Sequence, residues 1–262
     1  MYPIKQKWNI IRYRCTSETG VGELQNFIMD LIFPQNVCCL CRKPGLYNTR
    51  NPWCKECCND LLDLQTSLPI CKKCGKYLED GEGICLDCET NPPLFHVARS
   101  VGPYTDSYRI AIKALKFLGK KNLAVRMGSM MACVVKNEPE FWPLDIIVPV
   151  PTSKGQMESR GFNQTEVLAR QISKDLRLRL ITDALIRVKE TPSQRELTKE
   201  EREKNLLYAF YLKDNKHCYR KNILLVDDVY TTGSTSKECT KMLLDGGANR
   251  VSVITWATGQ GF

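Results

Sequence analysis

Asp227 and Asp228 stand together after four apolar residues, Ile223-Leu224-Leu225-Val226. Val229 and Tyr230 follow, then Thr231-Thr232-Gly233-Ser234-Thr235, and then a stretch with helical spacing from Ser236 to Gly246. The pattern predicts a buried strand, a short polar loop and a helix N-terminus, with the carboxylates at the strand's carboxyl end. In open α/β sheets ligands bind at that edge. Helix N-termini and concave arrays of backbone N–H groups bind phosphate there. Adjacent carboxylates accept hydrogen bonds from hydroxyls, and a hydroxyl-rich loop donates them. Together they suit a ligand with both sugar hydroxyls and a phosphate. A strand ending in an ordinary Asx-type turn would account for one Asp and one Thr or Ser, but not for the whole series.

The second chemistry is sulfur. Of fourteen cysteines, eight fall in four C-x-x-C knuckles: Cys38/Cys41, Cys54/Cys57, Cys71/Cys74 and Cys85/Cys88. One knuckle offers two sulfurs to one side of a metal, and a second completes a tetrahedron. Taken in order, the knuckles predict two four-cysteine zinc sites that are structural, because sulfur fills every position. A crossed pairing of first with third knuckle stays open. A four-iron cluster also takes four thiolates, usually from more closely spaced ligands. Cys39 and Cys58 read as bystanders, and Cys15, Cys133, Cys218 and Cys239 as isolated small residues.

The composition, 43% hydrophobic and 26% charged, is that of a globular protein. Fully apolar runs reach about six residues, as in 130–135, too short to span a membrane. No apolar stretch near the start ends in small residues as a cleaved signal peptide does, so a cytoplasmic protein is expected. The formal charge of +9 counts thiols as neutral, and zinc-bound thiolates would leave a smaller basic excess. That excess permits a nucleic-acid or anionic partner without demanding one.

The elements that must position these groups follow from periodicity. Residues 1–26 are motif-free and read as an extension, and 27–93 as a ribbon module closed by Asn91-Pro92-Pro93. From 94 to 262 helix and strand patterns alternate: helices at 108–117, 123–135, 163–176 and 236–244, and strands at 145–150, 223–226 and 251–256. Alternation predicts an α/β fold, a parallel sheet with flanking helices. A short apolar segment at 26–33 fits one or two helical turns, and the charged segment at 191–204 a solvated helix or loop. The ribbons, poor in long apolar residues, are expected to depend on zinc and to unfold on chelation while the rest stays folded.

Two further runs belong with the carboxylates. Pro151-Thr152-Ser153 leaves the predicted strand at 145–150, and Arg160-Gly161-Phe162-Asn163-Gln164 places a permanent cation and an aromatic ahead of a helix. Residues 152–162 have the glycine and charge content of a closing loop. His96 and His217, the only histidines, lie in no motif, and no general base stands out.

The Leu225–Thr235 run resembles the binding signature of type I phosphoribosyltransferases, which use phosphoribosyl pyrophosphate (PRPP). In order, the four knuckles, Leu115-Lys116-Phe117, Val148-Pro149-Val150-Pro151, Arg160–Gln164, Gln194 with Arg202 and Asn205, and Leu225–Thr235 resemble the ComF family of the ComFC type. The resemblance covers about Phe27 to the C-terminus. It implies a double zinc ribbon followed by a type I phosphoribosyltransferase-like domain. It further implies that Asp227 and Asp228 meet the ribose hydroxyls and help place Mg²⁺. Thr231, Thr232, Gly233, Ser234 and Thr235 would hold the 5′-phosphate, and Pro151, Thr152 and Ser153 would approach the pyrophosphate. Arg160 falls where related transferases carry a mobile hood, a third candidate for catalysis beside the two aspartates. The family is associated with natural competence. That implies single-stranded DNA handling, and a DNA-uptake helicase and other competence proteins as partners. The chain has no G-x-x-x-x-G-K-[ST] and is not itself that helicase. Two functions stay open: a PRPP-binding protein of DNA uptake, and an active Mg²⁺-dependent phosphoribosyltransferase with an unidentified acceptor. A PRPP-sensing regulator of transcription is a weaker third.

Overall fold

The computed structural model describes residues 35–48, 51–65, 69–79, 81, 83–117, 123–188 and 209–260. The extension at 1–26, the segment at 26–33, the charged stretch at 191–204, and Gln194, Arg202 and Asn205 lie outside the described residues.

Each ribbon closes on its own knuckle pair. The Sγ atoms of Cys38, Cys41, Cys54 and Cys57 lie within 4.8 Å of one another, as do those of Cys71, Cys74, Cys85 and Cys88. The pairing is therefore sequential, not crossed. A zinc tetrahedron with Zn–S bonds of about 2.3 Å has S···S edges of about 3.8 Å. Cys41 and Cys54 are 3.7 Å apart and Cys74 and Cys85 3.6 Å apart, so both sets fit the ion. Backbone N–H groups point at the ligand sulfurs, Cys54 N to Cys38 Sγ and Cys85 N to Cys71 Sγ, each at 3.3 Å. The first ribbon carries a short hairpin, β1 (Gln35–Val37) with β2 (Pro44–Tyr47), and helix α1 (Lys55–Gln65). The second carries α2 (Leu86–Thr90).

The α/β part follows as β3 (Ala98–Pro103), α3 (Asp106–Phe117), α4 (Leu123–Asn137), β4 (Ile146–Pro149), α5 (Lys154–Arg160), α6 (Gln164–Leu176) and β5 (Arg179–Leu180). A small antiparallel pair, β6 (Leu185–Arg187) and β7 (Phe210–Leu212), precedes β8 (Asn222–Tyr230), α7 (Ser234–Asp245) and β9 (Arg250–Thr258). The main sheet runs β3-β9-β8-β4-β5 with every pair parallel. Leu224 and Val226 enter one apolar cluster with α3, α4 and α6, whereas Ile223 and Leu225 enter another with Cys239 and Leu243 of α7. This is the two-residue alternation of a strand covered on both faces.

Strands β3, β5, β6 and β7 were not expected, and three differences bear on the site and its surroundings. The strand predicted at 223–226 continues through both aspartates to Tyr230, pairing with β9 as far as Thr258. The stretch read as a closing loop at 152–162 holds a helix, α5, capped by Ser153, whose hydroxyl accepts from Gln156 N, and ended by Gly161 at φ 71°. β3 hides a buried charge: Arg99 is paired with Glu138 (Nε–Oε2 2.9 Å) and Glu140.

The ribbons do not stand apart from the sheet. Leu40, Trp53 and Leu61 of the first share a core with Tyr108 and Trp256, and the Tyr108 hydroxyl donates to Leu61 O at 2.6 Å. The second lies along the outer edge of β3, where Ala98 N donates to Lys73 O (2.9 Å) and Arg99 to Lys72 O (3.0 Å). Gly75 sits so close that a Cβ would come within 2.6 Å of Ala98 O. A knuckle thus caps an edge strand that would otherwise present unpaired backbone. This packing argues for coupled unfolding in place of the independent unfolding expected from the sequence. Removing zinc should lower one cooperative calorimetric transition of the whole chain by about 10 °C or more. Two transitions, the upper one unmoved by chelation, would contradict it.

Candidate functional site

The chain leaves β4 for β5 on one side of the sheet and β8 for β9 on the other. The carboxyl ends of β4 and β8 therefore flank the topological switch point, where an open parallel sheet forms its ligand crevice. Pro151-Thr152-Ser153 leaves β4 on one side of that crevice, and Asp227 to Thr235 occupy the other. β4 pairs no further than Pro149 with Val226, so β8 projects four residues beyond that register and carries both aspartates with it.

Because β8 alternates, its two carboxylates face opposite ways. Asp228 follows Leu224 and Val226 to the α3–α6 face, where Lys116 Nζ lies 2.6 Å from Oδ2 and Gln164 Nε2 donates to the same oxygen at 2.9 Å. Gln164 also accepts from Arg160 (3.0 Å), and the Arg160 guanidinium lies 5.5 Å from the centre of the Phe117 ring. The last turns of α3 and α5 are thereby tied to Asp228. Asn163 caps α6 by accepting from Thr165 N, and both residues bond to Val150 O at the tip of β4, which places Gln164 beside Asp228.

Asp227 faces the other layer and its Oδ1 accepts from Asp228 N at 2.8 Å. Burial first, and the neighbouring Asp228 charge second, push its carboxyl up from an ordinary 3.8 to about 7. A bound cation or donating hydroxyls would relieve that penalty. Hard carboxylate oxygens beside a hydroxyl-bearing loop are a fitting donor set for Mg²⁺.

The loop from β8 to α7 is only Thr231-Thr232-Gly233; Ser234 and Thr235 already belong to the first helical turn. Gly233 is the N-cap at φ 77°, and a Cβ there would meet the Tyr230 phenol oxygen at 2.2 Å, so glycine is required on both counts. The N-cap glycine has no side chain with which to cap the helix, Thr232 Oγ1 accepts only from Ser234 N at 3.4 Å, and no acid lies in the first turn. Its N–H groups and positive dipole end thus face an anion without competition from a carboxylate. Thr232 and Ser234 share a hydroxyl–hydroxyl bond of 2.7 Å. Across the crevice Thr152 is engaged with Gln156 (2.8 Å), and Ser153 is spent on capping α5.

Lys116 and Gln164 went unassigned in the sequence, although one signal was available for the lysine. Tyr108, Ala111, Ile112 and Leu115 form the buried stripe of α3, and Lys116 sits four residues after Ile112, where that stripe calls for an apolar side chain. Neither histidine reaches the crevice. His96 N donates to Val251 O at the amino end of β9, and His217 lies in the turn that leads into β8.

The family model of the double zinc ribbon domain matches residues 28–89. Competence protein F of Haemophilus influenzae is 30% identical over 223 residues, covering 83% of this chain and 95% of that protein. The DNA utilization protein YhgH of Escherichia coli K12 is 29% identical over 222 residues, 83% and 94% of the two chains. The competence protein ComFC of Bacillus subtilis is 28% identical over 187 residues, 68% and 72% of the two chains. Among solved structures, the glutamine PRPP amidotransferase of B. subtilis aligns with a TM-score of 0.38 at 17% identity, over 55% of this chain and 30% of that one, a likeness that assigns no residue. No described helix is long and apolar enough to cross a membrane.

The raised Asp227 carboxyl has a sign that can be measured. Its contribution to stability is fully present below its unfolded value, near 3.8, and is lost as pH rises through about 7. Asp227→Asn, which cannot ionise, should therefore melt above the parent at about pH 8, with the gap shrinking toward about pH 5. A gap that widens toward low pH would refute the assignment.

Proposed function

The chain belongs to the competence protein F family, and from that premise we propose that it binds PRPP, or a similar ribose 5-phosphate ligand, in the crevice between β4 and β8. The observation that carries this reading is the two carboxylates at the switch point, followed five residues after Asp228 by the glycine N-cap of a helix whose first turn holds no acid. Asp227 and Asp228 accept from the ribose 2′- and 3′-hydroxyls. Thr231 to Thr235 surround the 5′-phosphate with backbone N–H groups and hydroxyls. Pro151, Thr152 and Ser153 lie toward the pyrophosphate from the neighbouring strand tip. When bound with PRPP, Mg²⁺ neutralises pyrophosphate charge, and the two aspartates are the residues that help place it. The ligand serves natural competence and DNA utilization in the cytoplasm. Single-stranded DNA, the uptake helicase and other competence proteins are the partners in this reading. Residues 27–93 act as the ribbon module and 94–262 as the sugar-phosphate domain, with 1–26 as an extension.

The Arg160–Gln164–Asp228 chain favours a second reading, a phosphoribosyltransferase. A guanidinium on the last turn of α5 beside a carboxylate could meet a departing pyrophosphate while Lys116 and the aspartates hold the sugar. The bond that breaks is C1–O to pyrophosphate, and the one that forms is from C1 to a nucleophile of the acceptor.

A ligand at one hundred times its Kd stabilises a folded protein by about 2.7 kcal/mol. PRPP with Mg²⁺ should therefore raise the melting temperature of the parent. Asp227→Ala and Asp228→Ala should each weaken binding at least about tenfold, or ~1.4 kcal/mol. Equal ligand-induced shifts in all three proteins would sink the reading. Pyrophosphate release across a panel of bases and amines separates the two functions: turnover with any acceptor selects the transferase.

A further inference from the structure

Tyr230 is the last residue of β8, 3% exposed, and stands between the two kinds of site. On one side its ring covers the Cα of Gly233, with the phenol oxygen and Cζ only 2.2 and 2.5 Å from where a Cβ would be. On the other it meets Phe95 edge-on, at 6.1 Å and 80°. Both rings belong to the cluster that contains Cys71, Cys74, Cys85 and Cys88, all four ligands of the second zinc site. Lys73, inside that ribbon's first knuckle, lies 5.8 Å from the Phe95 ring centre. The backbone repeats the connection. Gly259 N and the Thr258 hydroxyl donate to Tyr230 O at 2.9 and 3.2 Å, and Gln260, the next residue, bridges to Tyr77 of the second ribbon. The first ribbon packs elsewhere, in the cluster of Tyr108 and Trp256 on the opposite face of the sheet.

We propose that Tyr230 is a positioning residue that couples the second zinc site, and not the first, to the phosphate loop. The folded second ribbon fixes the Tyr230 ring. That ring holds Gly233 in its left-handed conformation, which aims the first N–H groups of α7 at the ligand phosphate. The inference rests on the ribose-phosphate reading above. Coupling between two sites is reciprocal. A ligand that orders the loop must therefore protect the second set of thiolates, and loss of the second zinc must weaken the ligand. Two ribbons of like chemistry in one chain supply the internal control.

The test reads every cysteine separately. The zinc-loaded full chain is alkylated with isotope-coded reagent, with and without PRPP and Mg²⁺, and the rates are followed by mass spectrometry, with PRPP binding measured by calorimetry on the same sample. Saturating PRPP should slow alkylation of Cys71, Cys74, Cys85 and Cys88 about fivefold or more while leaving Cys38, Cys41, Cys54 and Cys57 within about twofold. Tyr230→Phe, which keeps the ring, should retain the selective protection. Tyr230→Leu, measured at saturating ligand, should abolish it. If the leucine variant does not fold, the parent and the phenylalanine variant still decide the matter through the ligand effect. Protection of both ribbons alike, or of neither while calorimetry shows PRPP bound, overturns the coupling alone. An absence of PRPP binding overturns the coupling together with the ribose-phosphate reading.

Discussion

Two carboxylates buried next to each other at the tip of a central strand are the constraint around which the crevice is arranged. A sheet interior does not tolerate adjacent negative charges without compensation. Strand alternation supplies part of it by sending Asp227 and Asp228 to opposite faces. Lys116 and Gln164 supply more for Asp228, at the ends of two different helices. Asp227 has one backbone N–H and a carboxyl held up at about 7, which leaves capacity for a cation or for donating hydroxyls. The protein thus carries a compensated anion on one face and a poised one on the other, with a helix N-terminus that opens at Gly233, five residues after Asp228.

Zinc organises the remainder. Below about 70 residues a ribbon builds little core of its own and leans on metal. Here the metal-closed loops are also building material for the sheet. The first ribbon completes the core around Trp256, and the second covers the exposed edge of β3. Sites that look modular in sequence are one packing unit in three dimensions, so loss of zinc is expected to be felt beyond the ribbons.

What was legible in the sequence was contiguous. The run from Ile223 to Thr235 holds strand, carboxylates, loop and helix start in thirteen consecutive residues, and the knuckles declare themselves by spacing. What was hidden depends on partners far along the chain. β3 did not read as a strand because Arg99 interrupts it, and the acids that make Arg99 tolerable lie 39 and 41 residues away. α5 read as a loop because its glycines and charges look irregular until Ser153 and Gly161 are seen as its caps. Gln164 meets Asp228 across 64 residues. Tyr230 falls past the predicted strand and carries no signal of its own, and only the fold places it between a zinc cluster and Gly233.

The most direct measurement is diffraction from crystals of the zinc-loaded chain grown with PRPP and Mg²⁺. The account predicts density for a ribose with its hydroxyls on Asp227 and Asp228, its 5′-phosphate on the N–H groups that open α7, and the pyrophosphate toward Pro151–Ser153. A ligand bound away from the β4–β8 crevice, or a crevice still empty at saturating PRPP, would contradict it.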